Sequence, residues 1–186
     1  GDKSISHRAL LLAAVADGTT VIEGLSPAVD VARTLACLRR LGVPLADLED
    51  GSLRVQGRGP RGLAGGPVDL DCGDSGTTMR LLAGLLSGQD RPFRLEAHAG
   101  LAGRPMDRVV EPLVAMGARI EAMAGRPPLS GRGGGLHGAE QVLRQASAQV
   151  GSAILLAALN AAGPTRVVYP APVRDHTERM LAAMGA

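Results

Sequence analysis

The chain repeats one pattern three times along its 186 residues. Ser4, Ser75 and Ser147 each stand at the start of an Ala/Leu-rich stretch with helical spacing, and they lie 71 and 72 residues apart. A dipeptide ending in glycine closes each repeat, at Leu41-Gly42, Met116-Gly117 and Met184-Gly185. Self-similarity at a fixed period indicates copies of one supersecondary unit, so the chain is expected to fold as three related units.

The second repeat contains the most complete set of predicted elements. Apolar spacing of three to four residues predicts helices at 5–17, 29–41, 76–88, 106–116, 148–161 and 175–184. Alternating or β-branched runs predict strands at 19–24, 45–48, 52–56, 68–72, 92–97, 119–123, 140–144 and 165–169, with another near 128–132. The complete unit is βαβαββ. On that template the first unit lacks its opening strand and the third lacks its two closing strands.

Serine and basic residues cluster at the predicted helix starts. Lys3 and Arg8 flank Ser4, and Arg8 lies one helical turn beyond that serine. Further candidates at the other helix starts are Gly76, Arg104, Ser147, Gln149 and Arg174. Free backbone amides and the helix dipole attract anions to helix N-termini. The pattern predicts a site for a multiply charged anion, although each cluster alone is also explained by helix capping with solvated charges.

Composition excludes several other kinds of site. One Tyr, one Phe and no Trp leave no stacking platform for single-stranded nucleic acid, and a net charge of +2 is too small for a phosphate-backbone surface. Cys37 and Cys72 lie in apolar segments and are interpreted as buried thiols. No histidine pairing suggests a metal, so we expect neither metal nor cofactor. No apolar run reaches a membrane span, and we expect a cytoplasmic protein without membrane or nucleic-acid partners.

Five motifs, in order, resemble the 5-enolpyruvylshikimate-3-phosphate synthase family. They are Gly1-Asp2-Lys3-Ser4-Ile5-Ser6-His7-Arg8, Gly73-Asp74-Ser75-Gly76-Thr77-Thr78-Met79-Arg80, Arg104-Pro105-Met106, Ser147-Ala148-Gln149-Val150 and Arg174-Asp175-His176-Thr177-Glu178-Arg179-Met180. The resemblance implies an α/β, enolpyruvyl transferase-like domain of three βαβαββ units around a pseudo-threefold axis, similar to an inside-out α/β barrel. Residues 1–186 are then expected to be the N-terminal, shikimate 3-phosphate-binding domain of a two-domain enzyme, truncated at both ends, with the second domain absent.

The same resemblance implies the reaction and the role of each matching residue. An enolpyruvyl group would pass from phosphoenolpyruvate to the 5-hydroxyl of shikimate 3-phosphate, releasing phosphate. By matching position, the residues that would bind shikimate 3-phosphate are Lys3, Ser4, Arg8, Ser147, Ala148, Gln149 and Arg174. Those that would bind phosphoenolpyruvate are Lys3, Gly76, Arg104 and Gln149. Gly76 also implies that the intact enzyme is inhibited by glyphosate.

Four positions depart from the usual family pattern. Asp74 is often Asn, Gly103 often charged, Gly151 often Lys or another polar residue, and Val173 often Ser or Thr. An acid at position 74 would oppose an anionic substrate unless it is paired. Each departure is expected to weaken affinity without changing the class of ligand.

The resemblance places the acid and base carboxylates in the absent domain. The catalytic residues are therefore not assigned here, apart from a contribution from Lys3. We expect this chain alone to have no turnover and to bind shikimate 3-phosphate weakly, and the full-length enzyme to be a monomer. Two alternatives stay open at this point, a non-catalytic anion-binding module and UDP-N-acetylglucosamine enolpyruvyl transferase. The latter usually has a reactive Cys before the Arg-Pro pair, and residues 98–103 contain none.

Overall fold

The computed structural model describes all 186 residues. Its helices are α1 (Lys3–Val15), α2 (Val29–Arg40), α3 (Gly76–Ser87), α4 (Ala99–Ala102), α5 (Asp107–Ala115), α6 (Ala148–Ala158) and α7 (His176–Ala183). Its strands are β1 (Thr19–Ile22), β2 (Leu45–Asp47), β3 (Leu53–Gln56), β4 (Val68–Asp71), β5 (Pro92–Glu96), β6 (Arg119–Met123), β7 (Arg126–Arg132), β8 (Glu140–Val142) and β9 (Arg166–Val168). All six predicted helices and nine predicted strands are confirmed, each end within three residues. The sequence missed α4, whose four residues are too few to show a helical period.

The sheet topology confirms which strands each unit contains. In the second unit the order is β4-β5-β7-β6, with β4 parallel to β5 and the other pairs antiparallel. The first unit forms the sheet β1-β3-β2, which matches β5-β7-β6 and lacks a counterpart of β4. The third unit supplies the parallel pair β8-β9, which matches β4-β5. The chain therefore folds as three copies of one βαβαββ plan, of which only the second has every strand.

Helices form the interior of the domain and sheets its exterior. Ten of the twelve residues of α3 are buried, as are nine of thirteen in α1 and seven of eleven in α6. Strands β3 and β4 instead alternate buried and exposed residues, so each presents one face to solvent. Each large apolar side chain buried among the interior helices contributes roughly 1.5–3 kcal/mol to folding. This inside-out arrangement confirms the fold class that the family resemblance implied.

Helices α3 and α6 approach each other closely at a glycine. A Cβ atom on Gly84 would overlap the backbone of Ala153, including its carbonyl oxygen. Only the absence of a side chain at position 84 lets the two helix backbones come this close. Gly84 and Ala153 lie one turn after Arg80 and Gln149, so this contact also brings those two polar side chains together.

The glycines predicted to end helices have the expected backbone conformation. Gly42 after α2 and Gly117 after α5 have φ angles of +81° and +92°, in the left-handed region that favours glycine.

The helices are short on the scale of a lipid bilayer, and none has both the length and the apolar character needed to cross one.

Candidate functional site at three helix N-termini

Each interior helix begins with a capping side chain that accepts a hydrogen bond from a first-turn amide. Ser75 Oγ accepts from Thr78 N at 3.2 Å, and Ser147 Oγ accepts from Val150 N at 3.3 Å. In α1 the cap is Asp2, whose Oδ1 accepts from Ile5 N at 2.9 Å. The start of α1 therefore lies two residues before the predicted one, because Asp caps a helix as well as Ser does.

This cap shifts the alignment of the repeats. Asp2, Ser75 and Ser147 are equivalent in structure, at intervals of 73 and 72 residues. Ser4 lies in the first turn of α1 and is equivalent to Thr77 and Gln149. Each of the three interior helices therefore presents a polar side chain from the same position of its first turn.

Arg8 joins the first turns of α1, α6 and α7, although its side chain is buried. Its Nε donates to Thr177 Oγ1 at 2.7 Å, and its Nη1 donates to Ser4 Oγ at 2.7 Å and to the Ser4 carbonyl at 2.9 Å. Nη2 donates to Ser152 Oγ at 2.7 Å and to the Ala148 carbonyl at 3.4 Å. Burial lowers the pKa of Arg8, which is 1% exposed. All its donors have partners in the chain, so direct contact of Arg8 with a ligand stays a prediction.

Gln149 joins the first turns of α3 and α6. Its Nε2 donates to Thr77 Oγ1 at 2.9 Å, and its Oε1 accepts from Arg80 Nη1 at 3.1 Å. Arg80 also donates to the Gly76 carbonyl at 3.3 Å and to the Pro105 carbonyl at 3.4 Å. Arg80 was not among the site residues predicted from the sequence. The signal was its position one turn after Gly76 in the second motif.

A third buried network joins α1, α2 and α3. His7 Nδ1 lies 2.8 Å from Thr34 Oγ1, which lies 2.8 Å from Thr78 Oγ1. Thr78 in turn donates to Ser75 Oγ, the α3 cap, at 2.8 Å. His7, Arg80 and Ser152 are equivalent positions of the three repeats, at the same 73 and 72 intervals. Each repeat thus places a polar side chain where its interior helix meets a neighbour, and together these networks fix the relative positions of the three N-termini.

Burial of His7 predicts a loss of stability in acid. Burial lowers the pKa of His7 from 6.5 to about 4. The unfolded chain therefore binds a proton that the folded chain excludes, and this difference is absent above pH 6.5 and grows as the pH falls toward 4. Over that window the wild type should lose roughly 3 kcal/mol more unfolding free energy than His7→Asn, which cannot titrate. Urea unfolding of both proteins from pH 7 to pH 4 measures this difference. If the unfolding free energies of the two proteins fall equally with pH, the prediction is wrong.

The remaining predicted cations lie exposed around the helix ends. Lys3 Nζ pairs with Asp30 Oδ2 at 2.8 Å, and its side chain is 53% exposed. Arg104 and Arg174 are exposed and form no ion pair. The charge of Arg174 acts on Asp2 and Arg8, which places it beside the start of α1.

Arg80 lies among further positive charges. Its pKa is lowered by burial first and then by the charges of Arg104 and Arg108, neither of which has an acidic partner. An uncompensated positive cluster beside helix N-termini favours an anionic ligand.

A groove of about 420 Å³ opens beside the start of α6. It runs between α5 and the segment that leads into α6, and its wall contains Asp107 and Glu111 as well as Arg108 and Arg144. Ser147 is the only predicted site residue on this wall. Its volume is within the range of small-molecule sites.

The structure explains one departure from the family pattern and locates the others. The Tyr169 hydroxyl packs directly over Gly151, where a Cβ would overlap it, and donates to Glu178 Oε1 at 2.7 Å. Gly151 therefore accommodates a phenol.

Asp74 is exposed without an ion pair and packs against Gly100. No atom lies within 4 Å of the Cβ position of Gly103, so a side chain there would begin in open space. Nothing in the structure explains Val173.

The contact between Tyr169 and Gly151 predicts a coupled effect on stability. Gly151→Ala should lower the free energy of unfolding by about 1–3 kcal/mol, because the new methyl group overlaps the phenol. In a Tyr169→Ala background the same change should be neutral or stabilising, since alanine favours a helix over glycine by up to about 1 kcal/mol. Urea unfolding of the two single variants and the double variant tests this. Additive effects would contradict the proposed packing.

Comparisons with known proteins match the whole chain. The family model described as EPSP synthase (3-phosphoshikimate 1-carboxyvinyltransferase) matches residues 1–186. Proteins named 3-phosphoshikimate 1-carboxyvinyltransferase from Acidithiobacillus ferrooxidans and from a Synechococcus strain are each 54% identical to it over its full length. A solved structure of EPSP synthase from Acinetobacter baumannii is 45% identical, with a TM-score of 0.94 over the whole chain and 42% of that protein. The chain spans 43% of the length of the curated relatives.

Proposed function

Because the chain belongs to the EPSP synthase (3-phosphoshikimate 1-carboxyvinyltransferase) family, we propose that it is the shikimate 3-phosphate-binding domain of such an enzyme. The whole enzyme would transfer the enolpyruvyl group of phosphoenolpyruvate to the 5-hydroxyl of shikimate 3-phosphate and release phosphate. We also propose that the full-length enzyme is a monomer in the cytoplasm.

The observation that carries the proposal is the joining of three helix N-termini under uncompensated positive charge. Side-chain hydrogen bonds of Arg8, His7 and Gln149 hold the first turns of α1, α3 and α6 together. Arg104 and Arg174 stand at the rim of these helix ends without acidic partners. Both proposed substrates carry a phosphate and a carboxylate, and such a field stabilises them in the ground state and in the transition state.

The start of α6 suits shikimate 3-phosphate. The Ser147 hydroxyl accepts from Val150 N and donates to no group in the chain, so its hydrogen is available to a phosphate oxygen. The amides of Ala148 and Gln149 lie in the same first turn, where intrahelical partners are lacking. In this proposal Ser4 and Arg8 complete the pocket from α1, and Arg174 pairs with the phosphate or the carboxylate.

Phosphoenolpyruvate is assigned to the α3 side of the site. Gly76 is the first residue of α3, and Arg80 links it to Pro105, the neighbour of Arg104. Gly76 and Arg104 would therefore enclose this substrate from two sides. Lys3, on α1, would contact both substrates.

We assign the acid and base groups of the reaction to the rest of the enzyme. Asp30 is paired with Lys3, and Asp2 caps α1. A hydrogen bond from the Ile5 amide lowers the pKa of Asp2. This carboxylate therefore stays ionised and is engaged by the helix amide. Neither group is suited to give or take a proton at the substrates. In this proposal a second domain of the whole enzyme supplies the acid and base groups, and the chain's span of 43% of its relatives' length supports it.

Titration of the chain with shikimate 3-phosphate tests the proposal. Backbone amide signals are recorded by ¹⁵N–¹H NMR during the titration. We expect saturable chemical-shift changes at Ser4, Arg8, Ser147, Gln149 and Arg174. Inorganic phosphate at the same concentrations is the control, and it should not reproduce them. Equal shifts with phosphate would favour a non-catalytic anion-binding module. The absence of shifts in a folded sample would show that this domain alone does not form the site.

The proposed activity is tested with the full-length enzyme. Purified protein is expected to release phosphate from phosphoenolpyruvate only when shikimate 3-phosphate is present. Release with UDP-N-acetylglucosamine as acceptor instead would favour the other enolpyruvyl transferase, which the matched relatives do not support.

A further inference from the structure

We propose that Arg80 is a positioning residue that orients the side-chain amide of Gln149 so that one of its N–H groups faces phosphoenolpyruvate. This inference rests on the proposed function and assigns a role to a residue that does not itself touch substrate.

The pairing of Arg80 with Gln149 allows only one orientation of the amide. A guanidinium group has donors only, so the atom that Arg80 Nη1 approaches at 3.1 Å must be the Gln149 carbonyl oxygen. The NH₂ group then lies on the other side, where one of its hydrogens is donated to Thr77 Oγ1 at 2.9 Å. The second hydrogen has no partner in the chain. In the reversed orientation a carbonyl oxygen would face the anionic substrate and repel it.

Arg80 is itself held in place by two further contacts. Its guanidinium donates to the Gly76 carbonyl and to the Pro105 carbonyl, so it is fixed to the start of α3 and to the segment that follows Arg104. These are the two elements that the proposed function assigns to phosphoenolpyruvate. Arg80 thereby ties the orientation of Gln149 on α6 to the position of both.

Gly76 provides the space that the guanidinium occupies. A Cβ atom at position 76 would lie 2.6 Å from Arg80 Nη1 and 3.3 Å from Leu101 Cδ1. Any side chain at that position would therefore displace the Arg80 guanidinium, whose Nη1 lies 3.1 Å from Gln149 Oε1. An effect of residue 76 on phosphoenolpyruvate binding is then expected to act in part through the Gln149 amide.

The test compares Arg80→Met and Arg80→Lys with Arg108→Met in the full-length enzyme. Arg108 contributes to the same positive cluster and makes no hydrogen bond to Gln149, so its loss removes charge without removing the contact. Arg80→Met should raise the KM for phosphoenolpyruvate roughly 10- to 100-fold, the range for losing a charge-assisted hydrogen bond. It should change the KM for shikimate 3-phosphate by less than about threefold. Arg80→Lys should recover part of the loss, and Arg108→Met should change either KM by only a few-fold.

A spectroscopic measurement separates positioning from general stabilisation. The ¹⁵N–¹H signals of the Gln149 side-chain amide, recorded without substrate, should move in Arg80→Met and stay in place in Arg108→Met. Unchanged amide signals in Arg80→Met, or an equal rise in KM in Arg108→Met, would overturn the proposal. If Arg80→Met does not fold, the same comparison is made with Gly76→Ala, whose methyl group would displace the Arg80 guanidinium. Absence of turnover in the wild-type enzyme would refute the proposed function, and the amide signals would still decide whether Arg80 orients Gln149.

Discussion

Gly84→Ala is expected to lower the free energy of unfolding by about 3 kcal/mol, the upper end of the usual cost of overpacking a core. The added methyl group would overlap the carbonyl oxygen and the backbone carbons of Ala153. Backbone atoms within a helix cannot rotate away as a side chain can, so α3 and α6 would have to separate. The helix propensity that alanine gains over glycine, up to about 1 kcal/mol, offsets only part of this cost.

Urea unfolding of the variant measures the effect as a fall in the midpoint at an unchanged slope. Gly103→Ala is the matched control, because no atom lies within 4 Å of its Cβ position and its φ of −83° suits alanine. That control should change the stability by less than about 0.5 kcal/mol. Equal stability of the two variants would show that α3 and α6 can separate without cost. Gly84 and Ala153 lie one turn after Arg80 and Gln149, whose hydrogen bond joins the starts of α3 and α6. A separation of the two helices at Gly84 should therefore also weaken substrate binding.

Sequence periodicity predicted the helices and strands, and the family resemblance implied their arrangement around a pseudo-threefold axis. The apolar spacing of the six longer helices and the glycines that follow them depend on local chemistry, which a single sequence displays. The repeat also predicted which strands each unit contains, because the missing strands of the first and third units were identified by comparison with the second. α4 was missed for the opposite reason, as four residues contain no period.

The environment of the site residues could not be predicted in the same way. Arg8 was expected at a ligand, and it is buried against Ser152 and Thr177, which are 144 and 169 residues away in the chain. The link between Arg80 and Gln149 spans 69 residues and depends on the close approach of two helices at Gly84. Motifs identify which residue types a site contains, whereas their partners depend on tertiary packing. The side chains that hold the site together were therefore visible only in the structure.

Lys3→Met is expected to lower kcat/KM of the full-length enzyme about 100-fold or more while leaving its stability nearly unchanged. The ion pair of Lys3 with Asp30 is exposed at both partners, 53% and 33%, and such a pair contributes at most about 1 kcal/mol to folding. If Lys3 contacts both substrates as proposed, its loss removes a charge-assisted contact within a closed site. Removing one partner of a desolvated charge pair costs roughly 2–5 kcal/mol, which corresponds to about 30-fold to several thousand-fold in rate.

Arg39→Met is the matched control for this experiment. Arg39 lies in the last turn of α2, and it pairs with Asp47 at 3.6 Å with a side chain 52% exposed, much as Lys3 does. Steady-state kinetics and urea unfolding of both variants distinguish a substrate contact from a general surface charge. If Lys3 acts only as a surface charge, both variants should show equally small changes in kcat/KM and in the free energy of unfolding. A kcat/KM for Lys3→Met within a few-fold of wild type would remove Lys3 from the proposed site. If the free energy of unfolding falls by as much as the activation free energy calculated from kcat/KM rises, Lys3 has a structural role instead. A selective loss of rate would place the start of α1 at the substrates, where the sequence motif and the helix N-terminus both put an anion.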